Sequence, residues 1–485
     1  MKILFLISCY YVITTHDVNG YEIFNSERQC YLPPYLKKEI QSYGNFVNDI
    51  IQISTTGNYA GEYYNDLSKF IDRYGNRLSG TKNLEESIND IAMKSASKGL
   101  EVSLDPVMVP HWVRNYESAH LLSPRKKELN ILGLGYSPGT PGSNGITAEV
   151  IVVDNFEELE ERCAEVSGKI VLFNANFTTY GETVKYRSKG PAKAAKLGAV
   201  AALVKSVTPF SIYSPHTGTT SFKNGGPKIP SACVTLEDAD FLARLFKRGH
   251  KIIVNLQMNA VLKPSTLSRN LLADFRGKQL PNHQVIVSGH IDSWDVGEGA
   301  LDDGVGAFLA LHSLFLLKFM NVPTPKRTMR AVLWTAEELG LIGAQAYLKE
   351  HECELQYITA ALESDFGSSI PQGLNFEGND EAYCIVKEIA SLFDRLNATT
   401  VDKITGVGSD VSVFKPNGIP LIEPRYVNSN YMWFHHTNGD SMRTLNKETM
   451  DKNLAVFAAT TYILANLSVP LPRPGQTVWD LVPNK

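Results

Sequence analysis

Ser288-Gly-His290-Ile-Asp292 directly follows the short apolar run Val285-Ile-Val287, and this pattern is the starting point for predicting the fold. Runs of this length and composition are typical of buried strands in a parallel sheet. Glu337 and Asp365 also follow short apolar runs. Because the carboxyl ends of parallel strands meet at one edge of a sheet, the sequence predicts that His290, Glu337 and Asp365 lie close together.

Helical patterns separate these apolar runs. They occupy residues 305–319, 339–350 and 383–396. Alternation of strand and helix is typical of a mostly parallel sheet with helices on both faces. The predicted fold class is therefore α/β, a mixed, mostly parallel sheet flanked by helices.

The chain changes character between residues 118 and 262. Before this segment, residues 43–74 and 84–98 are predicted to be helical, and 102–104 and 107–109 to be strands. Within it, short strands alternate with clusters of Gly, Pro, Ser and Asn. We predict an inserted β-rich domain at 118–262 that divides a catalytic domain into 21–117 and 263–485, and that borders the active-site cleft.

The side chains at the predicted strand ends are of the kinds that bind zinc, which takes imidazole nitrogen and carboxylate oxygen. A two-zinc site needs a bridging group, and Asp302 is the natural bridge. Asp292, two residues after His290, is placed to accept a hydrogen bond from the imidazole. Glu337 and Glu338 would repel each other as free carboxylates, so the pair predicts one metal ligand and one general base.

A further ligand is expected from the segment Trp433-Phe434-His435-His436-Thr437-Asn438-Gly439-Asp440. It offers two adjacent histidines. The residue types alone leave both His435 and His436 open as ligands.

The ordered set of residues resembles that of the co-catalytic zinc exopeptidases, a family that includes bacterial aminopeptidases and glutamate carboxypeptidases. The resemblance implies the zinc exopeptidase fold with two Zn2+ ions, Glu337 as general base, and Asp292 as the second catalytic residue, behind the histidine. The family's His-Thr-x-x-Asp pattern matches residues 436–440, which favours His436. The segment 118–262 is similar to the protease-associated domain that this family inserts. The metal ligands that the resemblance implies are His290, Asp302, Glu338, Asp365 and His436.

This resemblance implies hydrolysis of small peptides, in particular dipeptides with free N- and C-termini, by metal-activated water with Glu337 as general base. It also implies a homodimer. Two alternatives stay open: an aminopeptidase of the same fold, and a non-catalytic secreted binding protein, since fold does not imply function.

Several residues near the pattern have two interpretations each. Asp303 is expected either to cap the following helix or to orient the bridging Asp302. Arg425 is one candidate for a clamp on the substrate carboxylate, and Tyr431 either donates a hydrogen bond to an oxyanion or packs. Asp410 either binds substrate or holds a turn. His312 lies on an apolar helix and is predicted to be a core histidine.

Composition sets the outer bounds. The chain has 485 residues, of which 43% are hydrophobic, so it is long enough for two or more domains. Its net charge is −4 and it has no basic stretch, which argues against nucleic acid as a partner. Lys2 and the apolar residues that follow it predict a signal peptide over residues 1–20, and no other apolar run has membrane-spanning length.

Entry into the secretory pathway predicts a secreted or lysosomal protein. Three N-glycosylation triplets begin at Asn176, Asn397 and Asn466, in keeping with that route. Six cysteines become five once the leader is removed, which leaves at least one thiol without an intramolecular partner. Their pairing does not follow from the sequence.

Overall fold

The computed structural model describes residues 14–16, 22–24, 30–223, 226–427 and 430–481. The predicted signal peptide, 1–20, lies outside the described residues apart from a three-residue strand within it. The strands are β1 (Thr14–His16), β2 (Glu22–Phe24), β3 (Glu101–Val113), β4 (Glu117–Ser123), β5 (Lys127–Leu129), β6 (Ile131–Gly133), β7 (Ile146–Val153), β8 (Ile170–Phe173), β9 (Ala201–Lys205), β10 (Ser231–Val234), β11 (Ile253–Met258), β12 (Val261–Phe275), β13 (Leu280–His290), β14 (Arg327–Trp334), β15 (Ile358–Glu363), β16 (Ile370–Glu377), β17 (Thr400–Lys403) and β18 (Leu421–Val427).

The α-helices pack on both sides of these strands. They are α1 (Pro34–Gln41), α2 (Gly44–Thr55), α3 (Glu62–Tyr74), α4 (Lys82–Ser97), α5 (Phe156–Glu161), α6 (Cys163–Val166), α7 (Tyr180–Lys196), α8 (Leu236–Lys247), α9 (Val305–Phe319), α10 (Ile342–Glu350), α11 (Asp380–Ala390), α12 (Tyr431–Phe434) and α13 (Lys447–Asn466).

The first large sheet has the strand order β17-β16-β18-β15-β13-β14-β12-β3. Its centre is parallel, because β13 pairs in parallel with both β14 and β15, and β15 pairs in parallel with β18. The flanking β12 and β16 run antiparallel to their inner neighbours. The predicted mixed α/β fold with a mostly parallel core is thus confirmed.

A second eight-stranded sheet, of order β5-β4-β11-β7-β8-β9-β10-β6, is built from residues 117–258. It has its own hydrophobic core, with Val150, Leu172 and Leu203 fully or almost fully buried. The strands of this sheet, β4 to β11, lie close to the predicted segment 118–262, although β12, which begins at Val261, belongs to the first sheet. The division into domains and the protease-associated identity of the segment stay predictions.

Close packing between α9 and the strand ends positions the candidate site. Helix α9 is apolar on all sides, and every residue from Val305 to Leu317 is buried. A Cβ added to Gly289 would lie 2.5 Å from Ala307 N, and one on Gly306 would lie 1.8 Å from Ser364 O. Only glycine at these two positions lets the helix begin against the ends of β13 and β15.

The same burial accounts for two other properties of α9. The segment Ala300–Phe319 is long and apolar enough to be a candidate membrane span, but all of its apolar window is buried inside the protein. His312 is 3% exposed and lies 2.9 Å from both Tyr59 Oη and Asp66 Oδ2. The prediction of a core histidine is confirmed.

Two local predictions were wrong in detail. Residues 43–74 are not helical throughout: α2 ends at Thr55 and α3 begins at Glu62, directly after Gly61 with its left-handed φ of 80°. The two strands predicted around Pro106 form the single strand β3. This strand lies at the edge of its sheet, where a proline without an N–H is tolerated.

A disulfide joins Cys30, near the start of the described chain, to Cys384 on α11, with a Cα–Cα distance of 5.4 Å. Among the other described cysteines, Cys163 and Cys353 are exposed thiols and Cys233 is a buried one.

Candidate active site and metal centre

Residues far apart in the sequence meet at the carboxyl edge of the parallel strands. His290 is the last residue of β13, and Asp365 follows β15 by two residues. Glu337 and Glu338 follow β14, and His436 follows the short helix α12. All of the side chains predicted to bind metal come together here, as expected for the edge of a parallel sheet.

The two oxygens of Asp302 face two different groups of donors. His290 Nε2 lies 3.2 Å from Asp302 Oδ1 and 3.3 Å from Asp365 Oδ1. On the other side, His436 Nε2 lies 3.2 Å from Asp302 Oδ2 and 3.0 Å from Glu338 Oε2. A carboxylate shared in this way between two donor groups is the arrangement that a bridged pair of metal ions requires.

These donor atoms fit metal ions better than they fit one another. His290, Asp302 and Glu338 are buried, and their ligand atoms lie within 4.8 Å of one another. Within the described chain, four of the site's buried atoms have no hydrogen-bond partner: His290 Nε2, Asp302 Oδ2, Glu338 Oε1 and Asp365 Oδ1. Since buried polar atoms are normally satisfied, the set indicates cation sites with nitrogen and oxygen ligands, as zinc prefers.

Asp303 fulfils the first of the two roles considered for it, the capping of α9, whereas an orienting role toward Asp302 stays a prediction. Its Oδ1 accepts a hydrogen bond from Gly306 N at the start of α9, and its Oδ2 accepts one from His290 N, at 2.9 and 3.0 Å. Burial raises its pKa well above the usual range, and Asp365 and Asp302 add to this effect while His290 opposes it. The carboxyl thereby ties the helix start to the end of β13.

Asp440 and Arg77 hold the loop before α9, and neither was assigned a role from the sequence. The Asp440 carboxylate accepts hydrogen bonds from three consecutive backbone N–H groups, 300 to 302, at 2.6 to 3.2 Å. Arg77 is fully buried and donates to the backbone carbonyls of Ile291 and Gly299. Asp440 could have been found from the His-Thr-x-x-Asp pattern at 436–440, whereas no local sequence pattern indicates a role for Arg77.

The carboxylate of Asp292 positions the two glutamates. It accepts hydrogen bonds from Glu337 N at 3.0 Å and from Glu338 N at 3.3 Å. Its predicted contact with the imidazole is longer: His290 Nδ1 lies 3.6 Å from the carboxylate and 3.1 Å from the main-chain oxygen of Asp292. The nearer acceptor for the ring N–H is therefore the backbone of Asp292.

Burial also changes the acidity of the glutamate pair. It raises the pKa of Glu337 well above the usual range; His290 opposes the shift and Asp365 adds to it. Burial, reinforced by Asp302, raises the pKa of Glu338 to about 7. Both carboxyls are therefore protonated more readily than an exposed glutamate.

The second sheet contributes to the histidine pair. His436 Nδ1 lies 3.1 Å from Thr217 O, and Thr217 N donates to His436 O at 2.9 Å. An Nδ1–H bonded to this carbonyl leaves His436 Nε2 free to bind a metal ion. His435 Nε2 is farther from the shared carboxylate, at 3.8 Å from Asp302 Oδ2, so the geometry favours His436 over His435.

A cavity of about 320 Å³ opens over this edge of the sheet. Its lining residues come from helices and loops that belong to the segments of both sheets. Tyr180, Arg187 and Thr219 come from the segment of the second sheet, while Glu337 and Tyr431 come from the other side. Two of the earlier candidates are not part of the cavity's described lining. Arg425 donates to Asp402 Oδ2 at 2.6 Å in a separate ion pair, and Asp410 is fully buried.

Comparison with known proteins shows the family to which the chain belongs. The model of peptidase family M28 matches residues 270–461. Carboxypeptidase Q of Mus musculus is 45% identical over 90% of this chain and 93% of its own length, and that of Homo sapiens is 44% identical over 90% and 92%. The chain belongs to peptidase family M28. It is a zinc metallopeptidase of the group that contains carboxypeptidase Q.

Solved structures support the fold of this M28 peptidase. The peptidase M28 precursor of Shewanella amazonensis is 30% identical and superimposes with a TM-score of 0.85 over 90% of this chain and all of that one. A zinc aminopeptidase from Bacillus subtilis has a TM-score of 0.65 over 88% of this chain and 98% of that one. At 21% identity, this second likeness concerns the fold alone.

Asp292→Asn should lower the catalytic rate of this M28 peptidase without lowering its metal content. The amide has one acceptor oxygen, so its NH2 group would face a backbone N–H of the glutamate pair. We expect kcat to fall about 10- to 100-fold, the usual effect of losing a group that orients metal-site residues. Steady-state kinetics with parallel zinc analysis would measure this, and kcat within twofold of wild type would contradict the positioning role.

Proposed function

We propose that this chain is a secretory-pathway exopeptidase with two zinc ions that hydrolyses small peptides, in particular dipeptides with free N- and C-termini. The observation that carries the proposal is the position of Asp302, whose two oxygens face separate donor groups at 3.2 Å each. The similarity to carboxypeptidase Q, at 44–45% identity over nine tenths of the chain, supports a carboxypeptidase.

The residues divide into two sets of metal ligands that share Asp302. His290 and Asp365 would hold one ion and Glu338 and His436 the other. The two histidines contact different oxygens of Asp302, and each also contacts the acid in its own set. Zinc bound there would supply a Lewis acid for the scissile carbonyl and lower the pKa of water toward 7. All five side chains are of types that zinc accepts.

Glu337 would move the proton. It lines the cavity, and its Oε2 lies 4.0 Å from His290 Nε2, next to the metal ligands without being one of them in our proposal. Its carboxylate would accept a proton from the attacking water and return it to the departing amine. Asp292 holds its backbone during both transfers.

Tyr431 would assist at the carbonyl oxygen. It lines the cavity, and burial raises its pKa well above the usual range, with the nearby acids adding to the effect. The phenol therefore stays protonated and can donate a hydrogen bond as negative charge develops on that oxygen.

The size of the cavity favours short substrates. Its volume of about 320 Å³ is at the lower end of the range for small-molecule sites, about 300–1,000 Å³. A long peptide would have to leave the cavity, whereas a dipeptide fits within a volume of this order. The lining includes residues from the segments of both sheets, among them Tyr180 and Glu337.

A panel of free dipeptides, with the same peptides blocked at either end, tests the proposal on the zinc-loaded protein. We expect cleavage only when both ends are free. Cleavage of peptides with a blocked carboxyl end would instead identify an aminopeptidase. Absence of turnover with zinc bound would favour a binding protein.

Two structural features support the secretory route. The Cys30–Cys384 disulfide is of a kind found chiefly in oxidising compartments. Asn176 and Asn397 are exposed and accessible to glycosylation. Asn466 instead uses its side chain inside the fold, donating to Tyr462 O and accepting from Lys326 N. Secretion or lysosomal delivery, and the homodimer, stay proposals.

A further inference from the structure

Arg187 is the one arginine or lysine among the described residues that line the cavity. It lies on α7 and is only 4% exposed. We infer that Arg187 binds the free α-carboxylate of the substrate and so selects peptides with an unblocked C-terminus. This inference rests on the proposed function, because it assigns one end of the proposed dipeptide.

The guanidinium of Arg187 is buried without a carboxylate partner. Its Nη1 donates to Thr217 O at 2.9 Å and its Nη2 to Tyr180 Oη at 2.7 Å, while Nε has no hydrogen-bond partner. No carboxylate oxygen in the described part of the chain lies within 4.0 Å of it. Two of its five N–H donors are thus used, and three remain.

Other buried arginines of the described chain show how a guanidinium can be satisfied here. Arg114 pairs with Asp295 at 2.6 Å, and all three nitrogens of Arg77 donate to backbone carbonyls. A buried charge without such partners is costly. Arg327 also has an unpartnered Nε, but it does not line the cavity. Arg187 has no carboxylate partner among the described residues and does line the cavity, which indicates that a ligand supplies the anion.

The guanidinium is held at a defined position. Gly218 has a φ of 142°, and a Cβ added there would lie 2.2 Å from Arg187 Cζ, so its backbone packs directly against the guanidinium. The planar fork of arginine matches a carboxylate with two parallel hydrogen bonds. Only glycine at 218 leaves room for this arrangement.

The same short segment also holds a metal ligand. Thr217 O accepts from Arg187, and Thr217 N donates to His436 O. The backbone of Thr217 therefore links the carboxylate-binding group to the proposed zinc site. A substrate anchored at Arg187 would present a bond near its C-terminus to Glu337.

The test compares kcat/KM for dipeptides and for the same dipeptides with a C-terminal carboxamide. We expect wild type to prefer the free acid and Arg187→Gln to lower the acid-to-amide ratio at least about tenfold, since a charge-assisted hydrogen bond is lost. Most of the change should appear in KM for the acid. Arg425→Gln, which alters an arginine outside the cavity, should leave the ratio unchanged.

Arg187→Lys provides a second variant in case the glutamine variant does not fold. It keeps the charge but lacks the fork, so the ratio should fall by a smaller factor, about threefold or more. Zinc content and Tm establish that each variant is intact. A wild-type preference for the acid that survives unchanged in the Arg187 variants would overturn this inference alone. A wild-type enzyme that does not prefer the acid would overturn the proposed function and the inference together.

Discussion

Glu337→Gln is expected to lower kcat for dipeptide hydrolysis by about 10²- to 10⁴-fold, the contribution of a well-placed general base. Glutamine has nearly the same size as glutamate. The substitution leaves the backbone N–H of residue 337 free to donate its hydrogen bond to Asp292, so the loop geometry should persist. What disappears is the group that accepts the proton of the attacking water. Single-turnover and steady-state rates on the zinc-loaded variant would measure the loss.

A matched control separates this effect from a general loss of charge near β14. Glu350 is exposed at the end of α10, and Glu350→Gln should retain kcat within about twofold. Zinc content of both variants should equal that of wild type, because Glu337 is not a ligand in the proposed scheme. Retention of more than about a tenth of wild-type kcat by the Glu337 variant would remove it from the role of base.

Asp302→Asn should produce the second large loss, and it should be visible in metal content as well as in rate. The carboxylate faces two donor groups with its two oxygens, and an amide offers only one oxygen. We expect the variant to lose at least one equivalent of zinc per chain on dialysis and kcat to fall about 10³-fold or more, which corresponds to several kcal/mol of lost Lewis-acid stabilisation.

Inductively coupled plasma mass spectrometry on the dialysed proteins would give the zinc equivalents directly. Asp49→Asn, at an exposed position on α2, is a suitable control and should keep the wild-type content. Two tightly bound equivalents in the Asp302 variant would show that this carboxylate does not bridge. The shared ligand set would then need a different assignment.

The segment of the second sheet both lines the cavity and makes hydrogen bonds to residues of the site. The backbone of Thr217 contacts His436 and the guanidinium of Arg187, while Tyr180 and Thr219 line the cavity. This segment has a hydrophobic core of its own, yet hydrogen bonds connect it to the candidate metal centre. This coupling agrees with the prediction that residues 118–262 border the cleft.

Local sequence was enough to predict elements whose pattern is strong. Helix α9 extends over the predicted residues 305–319. Its residues are apolar on all sides, which is typical of a helix that is wholly buried. The strand ends at His290 and near Glu337 followed from apolar runs of strand length. Boundaries were less predictable between α2 and α3, where residues 56–61 leave the helical conformation.

Residue types and their order were enough to predict the chemistry of this protein, an α/β fold with acids and histidines in the order that a zinc exopeptidase uses. The groups that position and complement that chemistry became visible only in the folded chain. They are Arg77, Asp440, the carboxylate contacts of Asp292, and Arg187 at the cavity. The difference arises from distance along the chain. Ligand types and strand patterns are local properties, whereas a buried guanidinium acquires its role from partners that lie far from it in sequence and meet it only when the chain folds.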